Sequence, residues 1–247
     1  MVTATGKVLV ALDVPTIGEA LDLVRQVKDH VAGFKVGLEL CTNEGVQNVV
    51  SAISKAGGHV FLDLKFKDIP NTVGGAARAA CQEGVLMFNV HCDGGSQMMK
   101  AAVDAVRSAP GKRPLIIGVT VLTSIDPQTL HEELCVNGEL VAYAVHLARL
   151  ARAAGLDGVV CSPHEVVVIK KVCGGGFLTV VPGVRPEWAA TGDQKRVMTP
   201  GEAVQAGADY LVIGRPITKP PEKIGTPADA AKLIQKEIEV CFAKGST

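Results

Sequence analysis

Five charged residues are spaced so that they could do electrostatic and proton-transfer chemistry together. In the run His59-Val60-Phe61-Leu62-Asp63-Leu64-Lys65, strand alternation puts Phe61, Asp63 and Lys65 on one face. Asp68 follows where the run gives way to a loop. Two charges on an inward face are costly unless they are paired. Taken alone, Asp63 and Lys65 read equally well as a surface salt bridge at a strand end. Lys35, inside Phe34-Lys35-Val36-Gly37, and Asp13, at the end of an earlier apolar run, change that reading. If the three runs are neighbouring strands, Asp13, Lys35, Asp63 and Lys65 make one patch of alternating charge. Such a patch can hold an ammonium against carboxylates, where it can stabilise a developing anion and then deliver a proton to it.

A second set of residues fits an anion. Tyr210-Leu211-Val212-Ile213-Gly214-Arg215-Pro216 ends in a glycine that permits close backbone approach and an arginine with a bidentate fork. Upstream, the loop that follows the seventh apolar run, Pro182 to Arg196, is long. It carries Arg185, Gln194, Lys195, Arg196 and the only tryptophan, Trp188. Long loops in compact domains are usually functional, and this one is expected to be a phosphate-gripping lid. A merely solvated loop is the plain alternative.

The elements that must position these groups alternate along the chain. Apolar runs at Val8–Asp13, Gly33–Glu39, His59–Lys65, Leu86–His91, Leu115–Thr123, Gly158–Ser162, Leu178–Val184 and Tyr210–Arg215 are eight strand candidates. Helical spacing appears between them, at Ile17–His30, Gly45–Ala56, Val73–Gln82, Gln97–Arg107, Gly138–Ala154 and Thr199–Ala206, with Pro227–Phe242 last. Lys219-Pro220-Pro221 reads as the loop after the last strand. Eight βα units close a parallel barrel. The expectation is therefore a single (β/α)8 TIM barrel over residues 1–247. An open doubly wound sheet lacks its G-x-G-x-x-G after the first run. In a barrel, chemistry belongs at the C-terminal strand ends and in the loops that follow them, which is where the charged residues fall.

Composition sets the limits. Aromatics are 4% of 247 residues, so Val, Ala, Leu and Ile must build the core. Lys+Arg and Asp+Glu both number 25, which argues against a general nucleic-acid binder. Seven cysteines form no C-x-x-C pair and read as reduced thiols of a cytoplasmic protein. No apolar run reaches the roughly 18 residues that a membrane span needs. His91 beside Cys92-Asp93 hints at a metal, but three adjacent residues cannot all converge, so a structural His91 is expected and metal ligands are not.

The motifs resemble a known family. Asp63 to Thr72 has the pattern D-x-K-x-x-D-I-P-x-T, which is similar to the signature of the orotidine 5'-monophosphate decarboxylases of the short bacterial type. The likeness continues through Ala11-Leu12-Asp13, Phe34-Lys35-Val36-Gly37, Asn89-Val90-His91, Leu122-Thr123-Ser124, Pro182-Gly183-Val184-Arg185-Pro186, Gly192-Asp193-Gln194-Lys195-Arg196 and Ile213-Gly214-Arg215-Pro216-Ile217. It departs at Glu187-Trp188, where smaller residues are expected.

The resemblance implies decarboxylation of orotidine 5'-monophosphate to uridine 5'-monophosphate, the last step of de novo pyrimidine nucleotide synthesis, with no cofactor and no metal. It implies that Asp13 and Lys35 bind ribose hydroxyls and that Asp63 and Lys65 flank the reacting carbon. Thr123, Ser124 and Pro182 would meet the pyrimidine. Arg185, Gln194, Gly214 and Arg215 would hold the phosphate. Asp68, Ile69 and Thr72 would reach into a partner subunit's site, making a homodimer with two shared sites. Two other functions fit the same scaffold. A Mg-dependent decarboxylase of keto-sugar-acid phosphates would need a metal-binding oxygen near Lys35. A non-catalytic phosphate-binding barrel would need no Asp-Lys-Asp chain.

Overall fold

The computed structural model describes residues 4–189 and 198–244. Eight parallel strands close into a barrel in sequence order. They are β1 (Val8–Ala11), β2 (Gly33–Val36), β3 (Val60–Phe66), β4 (Val85–His91), β5 (Leu115–Val119), β6 (Gly158–Val160), β7 (Leu178–Pro182) and β8 (Tyr210–Ile213). The helices are α1 (Ile17–Val27), α2 (Leu38–Glu44), α3 (Val46–Lys55), α4 (Pro70–Ala80), α5 (Ser96–Arg107), α6 (Leu140–Ala154), α7 (Val166–Cys173), α8 (Pro200–Gln205), α9 (Arg215–Thr218) and α10 (Pro227–Lys244). The (β/α)8 barrel expected from the alternating pattern is the fold.

Side-chain alternation divides the strands' apolar residues between two cores. Leu9, Phe61, Met87, Ile117, Val180 and Val212 fill the barrel interior. Val10, Phe34, Leu62, Phe88 and Ile116 have the opposite parity and pack in the second core with helix residues such as Val24, Ile53 and Ala102. The few aromatics count for more than composition suggested, since Phe34, Phe61 and Phe88 are the largest fully buried side chains.

Local chemistry starts and stops the helices. Thr16 caps α1 by accepting from the Glu19 backbone N–H, and Thr199 and Glu202 form a reciprocal capping box at α8. Gly155 ends α6 in the left-handed region at φ 91°, where a side chain would be strained.

Several expected boundaries need correction. The runs taken to reach Asp13, Glu39, Thr123 and Arg215 end sooner, at Ala11, Val36, Val119 and Ile213. After Gly37 and Gly214 the chain turns directly into the short helices α2 and α9. Among the described residues, no helix is long and apolar enough to cross a membrane. All seven cysteines are free.

Candidate active site

The inward positions rise from an apolar floor to a charged rim. Lys35 lies in register with Ala11 on β1 and Phe61 on β3, so its stem stands in the barrel wall. The Lys35 Nζ donates to Asp13 Oδ1 at 2.8 Å and lies 3.6 Å from Asp63 Oδ2. Gly37 makes room for this pair, because a Cβ there would come within 3.2 Å of the Lys35 Nζ. On the other side of Asp63, the Lys65 Nζ donates to Asp63 Oδ1 at 2.7 Å. The carboxylate of Asp63 thus sits between two ammonium groups.

Simple alternation does not explain how Lys65 gets there. Leu62 pairs with Phe88 on β4, and the next pairing is Phe66 with Val90. Four steps on β3 therefore oppose two on β4, which is a bulge. Lys65 lies in that bulge with φ 52°, a conformation that costs a non-glycine residue energy. Phe61, Asp63 and Lys65 do face the same cavity, as alternation predicts, but Asp63 and Lys65 meet through a backbone turn at Lys65 and not along a regular strand.

Asn89 completes the group and was given no role on the sequence. It is 1% exposed on β4. Its Nδ2 donates to Asp63 Oδ1 at 2.7 Å, and its Oδ1 accepts from the Lys65 backbone N–H at 2.8 Å. Burial pushes the Asp63 carboxyl up. The charges of Lys35 and Lys65, with the hydrogen bonds from Lys65 and Asn89, outweigh this and hold it below the usual carboxylate range.

These groups line one side of a cavity of about 340 Å³ at the C-terminal mouth of the barrel. Asp13, Lys35, Asp63 and Lys65 are on its wall, and Arg185, Gly214 and Arg215 line it as well. Between the charged groups run Val119, Val121 and Val160, an apolar lining suited to a flat ring. Thr123 and Pro182 also line the cavity, and Ser124 does not. The Arg185 backbone N–H donates to the Met198 carbonyl at 3.0 Å, so the two ends of the long segment after β7 meet at its base. Trp188 is half-buried against the core. Gln194, Lys195 and Arg196 lie outside the described residues, as does the rest of the expected lid from residue 190 on.

Asp68, Ile69 and Thr72 are exposed and take no part in this chain's cavity. Asp68 Oδ1 accepts from the Ile69 N–H at 2.6 Å. Ile69 is 66% exposed, a large apolar side chain turned to solvent beside the site. His91 also lies outside the cavity, with its Nδ1 3.6 Å from Asp93 Oδ1. Burial lowers its pKa, against the pull of Asp93. Among the described residues, no three His, Cys, Asp or Glu side chains are grouped to hold a metal ion.

Comparison with known proteins agrees with the geometry. A family described as orotidine 5'-phosphate decarboxylase / HUMPS matches residues 6–230. The chain belongs to this family. Within it, the orotidine 5'-phosphate decarboxylase of Heliobacterium modesticaldum is 48% identical over 245 residues, covering 98% of this chain and 99% of that protein. That of Moorella thermoacetica is 49% identical over 241 residues, 96% of this chain and 94% of that one. Among solved structures, orotidine 5'-phosphate decarboxylase from Lactobacillus acidophilus is 36% identical with a TM-score of 0.82, covering 94% of this chain and 98% of that one.

Proposed function

We propose that the protein is a carbon-carbon lyase that decarboxylates orotidine 5'-monophosphate to uridine 5'-monophosphate in pyrimidine nucleotide synthesis. The observation that carries this reading is the line Lys35–Asp63–Lys65 in a cavity whose lining also holds Arg215. Loss of CO2 from C6 of the pyrimidine leaves an electron pair in the ring plane, where the ring carbonyls delocalise it poorly. Stabilisation must then come from charge already in place. In this reading the Lys65 ammonium stabilises the carbanion as it forms and then gives it a proton. Asp63 lies against the substrate carboxylate. Two like charges ~4 Å apart repel by about 4 kcal/mol at an effective dielectric of 20, and that repulsion ends when CO2 departs. Lys35 and Lys65 already balance Asp63, so carbanion stabilisation carries more weight than this repulsion.

The other roles follow from position. Asp13 and Lys35 take the ribose hydroxyls, and Thr123 and Pro182 meet the pyrimidine. Arg185 and Arg215 grip the phosphate beside the Gly214 backbone, with Gln194 assigned to the same group. Binding energy at the phosphate holds the substrate carboxylate against Asp63. Asp68, Ile69 and Thr72 serve the site of a second copy, which accounts for the exposed Ile69 and makes the working form a cytoplasmic homodimer with shared sites. A Mg-dependent keto-sugar-acid decarboxylase is disfavoured because the Lys35 Nζ stands where that metal would need an oxygen.

The test is to incubate the purified protein with orotidine 5'-monophosphate and EDTA and to follow loss of the orotate absorbance. Turnover that is insensitive to EDTA is expected. No turnover would remove the reading, and EDTA-sensitive turnover would remove its metal-free mechanism.

A further inference from the structure

We propose that Asn89 is a positioning residue that holds the Lys65 backbone and the Asp63 carboxylate in register for the reaction. The inference rests on Lys65 and Asp63 being the reacting pair. Asn89 is fully buried and does not itself line the cavity, and its side-chain hydrogen bonds run to those two residues, which do. Asp63 Oδ1 receives the Asn89 amide and the Lys65 ammonium at the same 2.7 Å. One oxygen is therefore gripped from two directions, which fixes the carboxylate plane as well as its position.

The bulge explains why this residue is an asparagine. Where β3 carries two extra residues against β4, the Lys65 peptide N–H has no ladder carbonyl opposite it. A buried N–H without a partner is costly. The Asn89 carbonyl takes that N–H, and the other half of the same amide donates to Asp63. The side chain acts as an inserted peptide unit, with one acceptor and one donor. Aspartate offers only acceptors when ionised, and an apolar residue offers neither. The amide orientation is set by its neighbours, since the Lys65 N–H can only donate and the ionised Asp63 can only accept. Lys65 is one of two non-glycine residues with positive φ among the described residues. Asn89 accepts directly from that strained backbone and so holds the ammonium at Asp63.

The experiment compares wild type, Asn89→Ala and Asn89→Asp. It reads kcat and KM for orotidine 5'-monophosphate from pH 3 to 9, Kd for uridine 5'-monophosphate, and the melting midpoint. For Asn89→Ala, kcat should fall about 100-fold, the loss expected when a reacting group is displaced by about 1 Å. Nucleotide Kd should stay close to wild type, because the phosphate and ribose contacts lie elsewhere. Loss of a donor to the ionised carboxyl raises the Asp63 pKa, so the acid limb of kcat/KM should move to higher pH. Asn89→Asp should shift the other way. Two carboxylates then share one proton, and only the protonated partner can donate to Asp63, so the optimum should move to lower pH.

A kcat for Asn89→Ala within about twofold of wild type would overturn the proposal. So would a parallel loss of kcat and nucleotide affinity with the acid limb unmoved, because that is the signature of packing. Should Asn89→Ala fail to fold, the near-isosteric Asn89→Asp carries the test, and failure of both to fold also overturns it. An inactive wild type would instead sink the proposed function itself, so the two failures are distinguishable.

Discussion

Each end of the barrel has two lysines flanking one aspartate, and the two groups are satisfied in different ways. At the closed end, the Lys170 Nζ donates to Asp209 Oδ2 at 2.5 Å and to the carbonyls of Gly175 and Phe177, so all three of its protons are used. Asp209 Oδ2 also accepts from the Thr179 backbone N–H. Lys7 is 8% exposed and donates to the Ala208 carbonyl. Its pKa is lowered by burial, partly offset by Asp209. At the open end, the bonds of Lys65, Lys35 and Asp63 run to side chains and line a cavity. The closed-end group is saturated by backbone and clamps α7, β7, β8 and the segment before β1 together. The open-end group keeps donors for something that enters. Charge type is the same in both places, and how its protons are committed separates structure from chemistry.

The sharpest way to break this comparison is Lys65→Ala. Lys65 is assigned both carbanion stabilisation and proton delivery, so kcat should fall at least about 10⁴-fold. The melting midpoint should change little, because the Lys65 side chain is partly exposed and Asp63 keeps Lys35 and Asn89 as partners. Activity retained within tenfold would move the chemistry to another group. Next in size is Arg215→Ala, which should lower kcat as well as raise KM, with kcat/KM down by about 100-fold. A change confined to KM would uncouple the phosphate grip from the reacting carbon.

Asp209→Asn should do the opposite of both. It leaves the Lys170 ammonium buried without its counter-charge and should lower the unfolding free energy by about 3 kcal/mol, seen as an earlier denaturant midpoint. Turnover per folded molecule should stay unchanged. A large fall in kcat would show that the closed end is coupled to the chemistry.

The smallest effect concerns pH. The folded Asp63 pKa lies below its unfolded value of about 3.9. The folded state therefore binds this proton less readily than the unfolded chain. The stability Asp63 contributes is complete above about pH 4 and fades as pH falls through the lower folded value. In acid melts, Asp63→Asn should lack this component of the decline. Identical slopes for the two proteins below pH 4 would contradict it.

The barrel and most of its rim were legible in the sequence because both rest on regular alternation. Neighbouring strands put Lys35 beside Asp63, and the strand ends put Arg215 and Pro182 at the same mouth. What was not legible depends on departures from regularity. No residue type announced the turn at Lys65, since lysine rarely takes positive φ and glycine is the usual cue. Asn89 was a single polar residue in an apolar strand, and its meaning appears only once the bulge supplies an unpaired N–H beside it. The extensions to Glu39 and Arg215 ran past Gly37 and Gly214, where Leu38 and Arg215 already belong to helices. Pro216 was an available sign, because proline suits the first turn of a helix. Asp209 and Lys170 drew no attention because they lie 39 residues apart, and the carbonyls of Gly175 and Phe177 that Lys170 also bonds leave no mark in residue type.

The most direct test is product analysis by NMR, with orotidine 5'-monophosphate turned over by the wild-type protein in D2O containing EDTA. The account predicts CO2 and uridine 5'-monophosphate in equal amounts, with one deuterium at C6 delivered from the exchanged Lys65 ammonium. Unchanged substrate, or a C6 position carrying no solvent deuterium, would contradict it.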